Sequence, residues 1–174
     1  DTSDAMFLSL GSSKPSDLGS FVSIGPTRDA LAAAQTPTEN TITASEDIVI
    51  TSNGASFTVD VSANDSAKDV AEKINSLTDR TAIEANAVTY AHLFSTNASS
   101  ATYTISVNSS NTSSFSISSS SVADAVSKIN LIAATTGVTA TATADNKVLL
   151  ADNTGADITI ENANSGTDLD VQAL

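Results

Sequence analysis

Ser66-Ala67-Lys68-Asp69-Val70-Ala71-Glu72-Lys73-Ile74-Asn75 and Ser121-Val122-Ala123-Asp124-Ala125-Val126-Ser127-Lys128-Ile129-Asn130 are one pattern written twice, 55 residues apart. Ser66 falls on Ser121, Asp69 on Asp124, Lys73 on Lys128, Ile74 on Ile129 and Asn75 on Asn130. In the first stretch Ala67, Val70, Ala71, Ile74 and Leu77 share one stripe of a helix. Val122, Ala125, Val126, Ile129 and Ile132 repeat that stripe in phase. Each copy opens with Ser-x-x-Asp, the spacing at which a hydroxyl and a carboxylate can each satisfy a free N–H of the first turn. Two amphipathic helices, capped at Ser66 and Ser121, are expected.

The same offset extends outward from both helices. Thr81-Ala82-Ile83 falls on Thr136-Gly137-Val138, and Ala85 falls on Ala140. Ile48-Val49-Ile50 falls on Tyr103-Thr104-Ile105 and then on Ile158-Thr159-Ile160. Before the first helix Phe57, Val59 and Val61 alternate with Ser56, Thr58 and Asp60, as on a strand with one buried face; Phe115 and Ile117 do this before the second. After the helices, alternating strands are expected at Ile83–Ala87 and Val138–Ala142, with Gly137 as the flexible exit in the second copy. Turns at Asp145-Asn146 and at Asp152-Asn153-Thr154-Gly155 bound a further strand, Val148-Leu149-Leu150. Before all this, Phe21–Ile24 reads as a short strand, Pro26 to Ala34 as a helix of one or two turns, and Thr36–Asn40 as a linker.

Composition narrows the function. Seven Lys and Arg stand against twenty Asp and Glu, a formal net charge of −13, the wrong sign for neutralising phosphates or docking on an anionic membrane. Cysteine is absent, so neither disulfides nor thiolate metal sites can form. Tryptophan is absent and aromatics make up 4% of residues, which leaves Val, Ile, Leu and Ala to build the core. Ser and Thr number 51, and between Arg80 and Asp145 the only formal charges are Glu84, Asp124 and Lys128. Hydroxyls must keep that stretch soluble, as on extracellular β-proteins. No apolar run reaches membrane-spanning length, and insertion into a bilayer is not expected. The chain begins at Asp1 rather than Met and is expected to be a piece of something longer.

The Ile-Asn helix ends, followed by Thr135-Thr136-Gly137-Val138-Thr139-Ala140, then Lys147-Val148-Leu149-Leu150 and Gly155-Ala156-Asp157-Ile158-Thr159-Ile160, resemble the flagellin hook IN motif. Val126 to Glu161 is the closer copy. The first is looser, with Ala82 in place of the motif's Gly and Tyr90-Ala91-His92 disturbing its last turn. Such motifs occur in the variable outer domains of bacterial flagellins and in flagellar cap and hook-associated proteins. The resemblance implies a secreted, extracellular part of the bacterial flagellum, exposed on the filament surface. Its partners would be other flagellin subunits, joined through core domains missing from this sequence, and the isolated fragment would be monomeric.

Reactive chemistry finds little to work with. Some flagellins carry a zinc peptidase in this insertion, but that site needs two His four apart on a helix, and His92 is the only one present. A Ser–His–acid triad would also have to use His92, which reads as an ordinary turn or strand residue. Asp152 to Asp157 has oxygen ligands and a Gly but neither the spacing nor the final Glu of an EF-hand, so turn chemistry accounts for it. No cofactor is expected. Asn75 and Asn130, each after a buried Ile, are expected to bond backbone at the helix end. Asn64, Asn97, Asn108 and Asn111 begin Asn-x-Ser patterns, common by chance in so Ser-rich a chain. Flagellins of this kind are often O-glycosylated, which implies Ser109, Ser110, Ser113 and Ser114 as candidate positions.

The fold class expected is α+β: two tandem units, each one helix packed on a small, mostly antiparallel sheet, after a less regular leading segment. The division would be 1–40 for the leading segment, 41–102 and 103–165 for the two units, and 166–174 for a return segment. The structural motif residues are Ser66, Asp69, Ile74, Asn75, Ser121, Asp124, Ile129, Asn130, Gly137 and Val138. The function expected is structural, not enzymatic: a filament surface shell. The alternatives are a cap or hook-associated protein, or an adhesin or carbohydrate-binding module.

Overall fold

Short runs of alternating apolar and polar residues, broken by Asn, Asp and Gly, make hairpins before anything else. The computed structural model describes residues 29–30, 42, 47–163 and 169–174. After a two-residue strand, β1 (Asp29–Ala30), β2 (Ile48–Ser52) and β3 (Ala55–Val59) form an antiparallel hairpin. Asn53 and Gly54 close it with φ of 51° and 77°, the positive pair that matches strand twist in a two-residue turn. The helix α1 (Ala67–Asn75) and a single turn, α2 (Thr78–Thr81), follow. Then come β4 (Thr89–Ser95), β5 (Ala101–Tyr103), β6 (Ile105–Val107), β7 (Ser110–Asn111) and β8 (Phe115–Ile117). The second helix pair is α3 (Ala123–Asn130) and α4 (Ala133–Thr136), and β9 (Val138–Ala142), β10 (Val148–Asp152), β11 (Ile160–Asn162) and β12 (Leu169–Ala173) complete the order.

The fold is α+β, with every strand pair antiparallel. The largest sheet has five strands in the order β1-β12-β4-β10-β9. It draws on every segment of the expected division: β1 from the leading part, β4 from the first unit, β9 and β10 from the second, and β12 from the return. A three-stranded sheet, β11-β6-β7, and the pairs β2-β3 and β5-β8 make up the rest.

One core runs under these sheets. Leu93 of β4, Val148 and Leu150 of β10, Val138 and Ala140 of β9, and Leu169 of β12 point into it, with Ala125 and Ile129 of α3 packed against them. Across β5 and β8, Tyr103 faces Phe115 in register, ring centroids 6.5 Å apart, and the two are the largest fully buried side chains. The helix α1 has a smaller partner. It packs by the β2-β3 hairpin, where Ile50, Val59, Val61 and Ala71 are buried and Ile74 is half-buried. Arg80 lies over the Phe57 ring at 4.4 Å and closes the end of that layer.

Several local expectations are corrected. Asp29–Ala30 is a strand paired with Val171 and Asp170, not part of a helix running to Ala34. The Phe21–Ile24 strand and the Thr36–Asn40 linker lie outside the described residues. Tyr103-Thr104-Ile105, which the repeat aligns with Ile48-Val49-Ile50 of β2, is the junction of β5 and β6 rather than one strand. Ile83–Ala87 forms no strand; the next strand in the chain is β4, which lies between β10 and β12. Tyr90, Ala91 and His92 belong to that central strand rather than to a disturbed turn.

Candidate functional site

Ile74, Asn75, Ile129, Asn130, Gly137 and Val138 gather at the two places where a helix gives way to an extended segment. At the first, the Asn75 amide donates from Nδ2 to the Ala85 carbonyl at 2.9 Å and accepts the Ala85 N–H on Oδ1 at 2.7 Å. At the second, Asn130 donates to the Ala140 carbonyl at 2.8 Å and accepts its N–H at 2.8 Å. The intervening turns match as well. Thr81 and Thr136 each donate a hydroxyl back to the carbonyl four residues earlier, Leu77 and Ile132, and each accepts the N–H two residues on, Ile83 and Val138. Ala82 and Gly137 hold the left-handed exit with φ of 56° and 76°, and their N–H groups cap Thr78 and Ala133.

The helix starts differ. Ser66 and Asp69 form the reciprocal cap: Asp69 N–H to Ser66 Oγ at 3.2 Å, and Ser66 N–H to Asp69 Oδ2 at 2.8 Å. The Ser66 hydroxyl, which donates to Asp69 Oδ2 at 2.6 Å, and then the Ser66 N–H hold the Asp69 carboxyl below its ordinary range. The Gly155 carbonyl takes another first-turn donor, the Lys68 N–H, at 2.9 Å. At α3 the expected Ser121 cap is absent. Val122 occupies the cap position with no side-chain bond, Ser121 bridges Ser118, and Asp124 accepts the Ser116 N–H at 2.8 Å. Asp124 therefore pins β8 to the helix instead of closing a box. Val122 is buried in the core, so packing, not capping, fixes where α3 begins.

Asn108 has a role that its Asn-x-Ser context concealed. Its amide donates to the Thr136 carbonyl at 2.9 Å and accepts from the Thr159 N–H at 2.8 Å, which ties the ends of β6 and α4 to the run into β11. Its pairing with Thr159, 51 residues on, left no local trace. Ser109, Ser113 and Ser114 are exposed, and Ser110 is half-buried in β7.

The reactive candidates stay apart. His92 sits in β4 with Nδ1 buried and unbonded; burial and then Lys147 push its pKa down. Asp152 is buried, and its Oδ1 accepts the Thr154 N–H at 2.8 Å and hydroxyl at 2.6 Å, so that carboxylate is spent on its own turn. Among the described residues no three His, Cys, Asp or Glu side chains group to hold a metal, and no helix is long and apolar enough to cross a membrane. The donors and acceptors at the helix ends meet backbone partners. What the arrangement does chemically is to fix backbone.

A helix whose terminal Asn clasps the next extended segment is a scaffolding device. Residues 47–111 match the flagellin hook IN motif, a similarity over part of the chain that supports a flagellin-related, structural protein. The match takes in the helix expected to be the looser copy and ends before Val126 to Glu161, the stretch expected to be the closer one. A search of curated proteins found no match.

Proposed function

We propose that this chain is part of the outer, solvent-facing region of a bacterial flagellar filament, assembled with other flagellin-type subunits and exported from the cell. The match to the hook IN motif over residues 47–111 carries this reading. The β1–β12 pairing supports it: Asp29 lies beside Val171, so the chain comes into the five-stranded sheet and leaves it along the same edge, as a module standing on a host domain requires. The net charge of −13 would keep closely packed copies from clumping. Exposed Ser109, Ser113 and Ser114 are the positions we propose for O-glycosylation in the native source, and an intact mass without added sugar would end that idea.

Antibodies raised against this chain test the assignment on intact flagella by immunogold labelling. Gold along the whole shaft is expected. Label confined to the tip or the hook junction would favour a cap or hook-associated protein, and unlabelled flagella would remove the filament from consideration.

A further inference from the structure

A sheet with an open edge offers unpaired N–H and C=O groups to any other strand, including one from a second copy. β9 lies at one edge of the five-stranded sheet. Ala140, in register with Leu150 of β10, turns its N–H and C=O outward, because both are taken by Asn130 at 2.8 Å. A primary amide is planar and carries one acceptor and a donor side by side, the same groups a peptide unit offers. Asn130 thus occupies the place of one residue of a neighbouring strand. Thr136 guards the adjacent outward position by accepting the Val138 N–H at 3.2 Å. Asn75 holds Ala85 in the same way, although the segment around Ala85 has no strand on its other side.

We infer that the motif's asparagine is a strand surrogate, whose amide closes the sheet edge at Ala140 against pairing with a second copy of this chain. A helix-to-strand staple alone would also use these two bonds. The readings differ in what happens when the amide is removed. A lost staple loosens the helix end, whereas an opened edge finds another strand. This holds whether or not the chain sits on a filament.

Asn130→Ala in the full chain separates them, read by light scattering after size exclusion and by amide exchange at Ala140. Opening the edge should tighten self-association about tenfold, the worth of backbone bonds newly made between copies. Ala140 exchange should be fast in dilute protein and slow again in concentrated protein, where a second β9 replaces the amide. Adding Ala142→Lys, a charge on the exposed end of β9, should abolish the association without restoring Ala140 protection. If Asn130→Ala does not fold, Asn130→Ser decides the matter, since it keeps a polar helix end but is too short to reach both the N–H and the C=O of Ala140; it should associate in the same way. A folded variant as monomeric as the parent, or association that leaves the freed amide exchanging fast, overturns the proposal.

Discussion

Single residues carry unequal weight here, and the reason is local geometry. Gly155 has φ of 78°, and a Cβ there would collide with the Ala87 Cβ, next to the Lys68 amide its carbonyl serves. Gly155→Ala should cost about 2 to 4 kcal/mol, from overpacking and left-handed strain together. Gly54 has nearly the same φ but open space around it, so Gly54→Ala should cost only about 1 kcal/mol. Urea unfolding of the two variants checks the contrast. Ser66→Ala should lose about 1 kcal/mol with the cap, whereas Ser121→Ala, which has no such bond, should sit close to the parent. Both serines read identically in the sequence. Only the positions of Val122 and Ser116 around the second helix explain why one caps and the other does not.

At the scale of elements, the two helices share a pattern but not an environment. Ile129 is fully buried over β9 and its neighbours, while Ile74 rests half-buried near a two-stranded hairpin. Ile129→Ala should therefore cost about 2 to 5 kcal/mol, and Ile74→Ala clearly less, by thermal or denaturant unfolding. Hydrogen exchange should agree, with α1, β2 and β3 opening well before β4 and β10. The helices, the alternation at Phe57–Val61 and Phe115–Ile117, and the turns at Asp145 and Asp152 were legible because each is set by residues within a few positions. The partners of β4 were not. Its alternation says that Ala91, Leu93 and Ser95 face inward, but not that β10 and β12 flank it, which depends on residues more than fifty positions away. The Ile-Asn ends lay between these cases. Their repetition marked them, whereas the Ala85 and Ala140 backbone they hold became visible only in three dimensions.

Over the whole molecule, acid should act in two stages. His92 is held neutral by burial, and by Lys147 beside it, so the unfolded chain takes up a proton first as pH falls below about 6.5. Stability should begin to drop there, and His92→Gln should flatten that limb. Bonds in the folded state lower the carboxyls of Asp65, Asp69 and Asp145, Asp145 to about 2 through Thr143 and then Lys147. Their stabilisation is complete above the ordinary value of 3.8 and drains as pH falls below it, a second limb that equilibrium unfolding between pH 2 and pH 5 would reveal. The placement of β1 beside β12 has a mechanical side. On a host domain of the kind proposed above, drag on the body from moving liquid would leave through these two neighbours in one direction, stretching them together rather than peeling one from the other. A tether of that kind shares its tension between two lengths of polypeptide, and neither has to unzip for the body to swing.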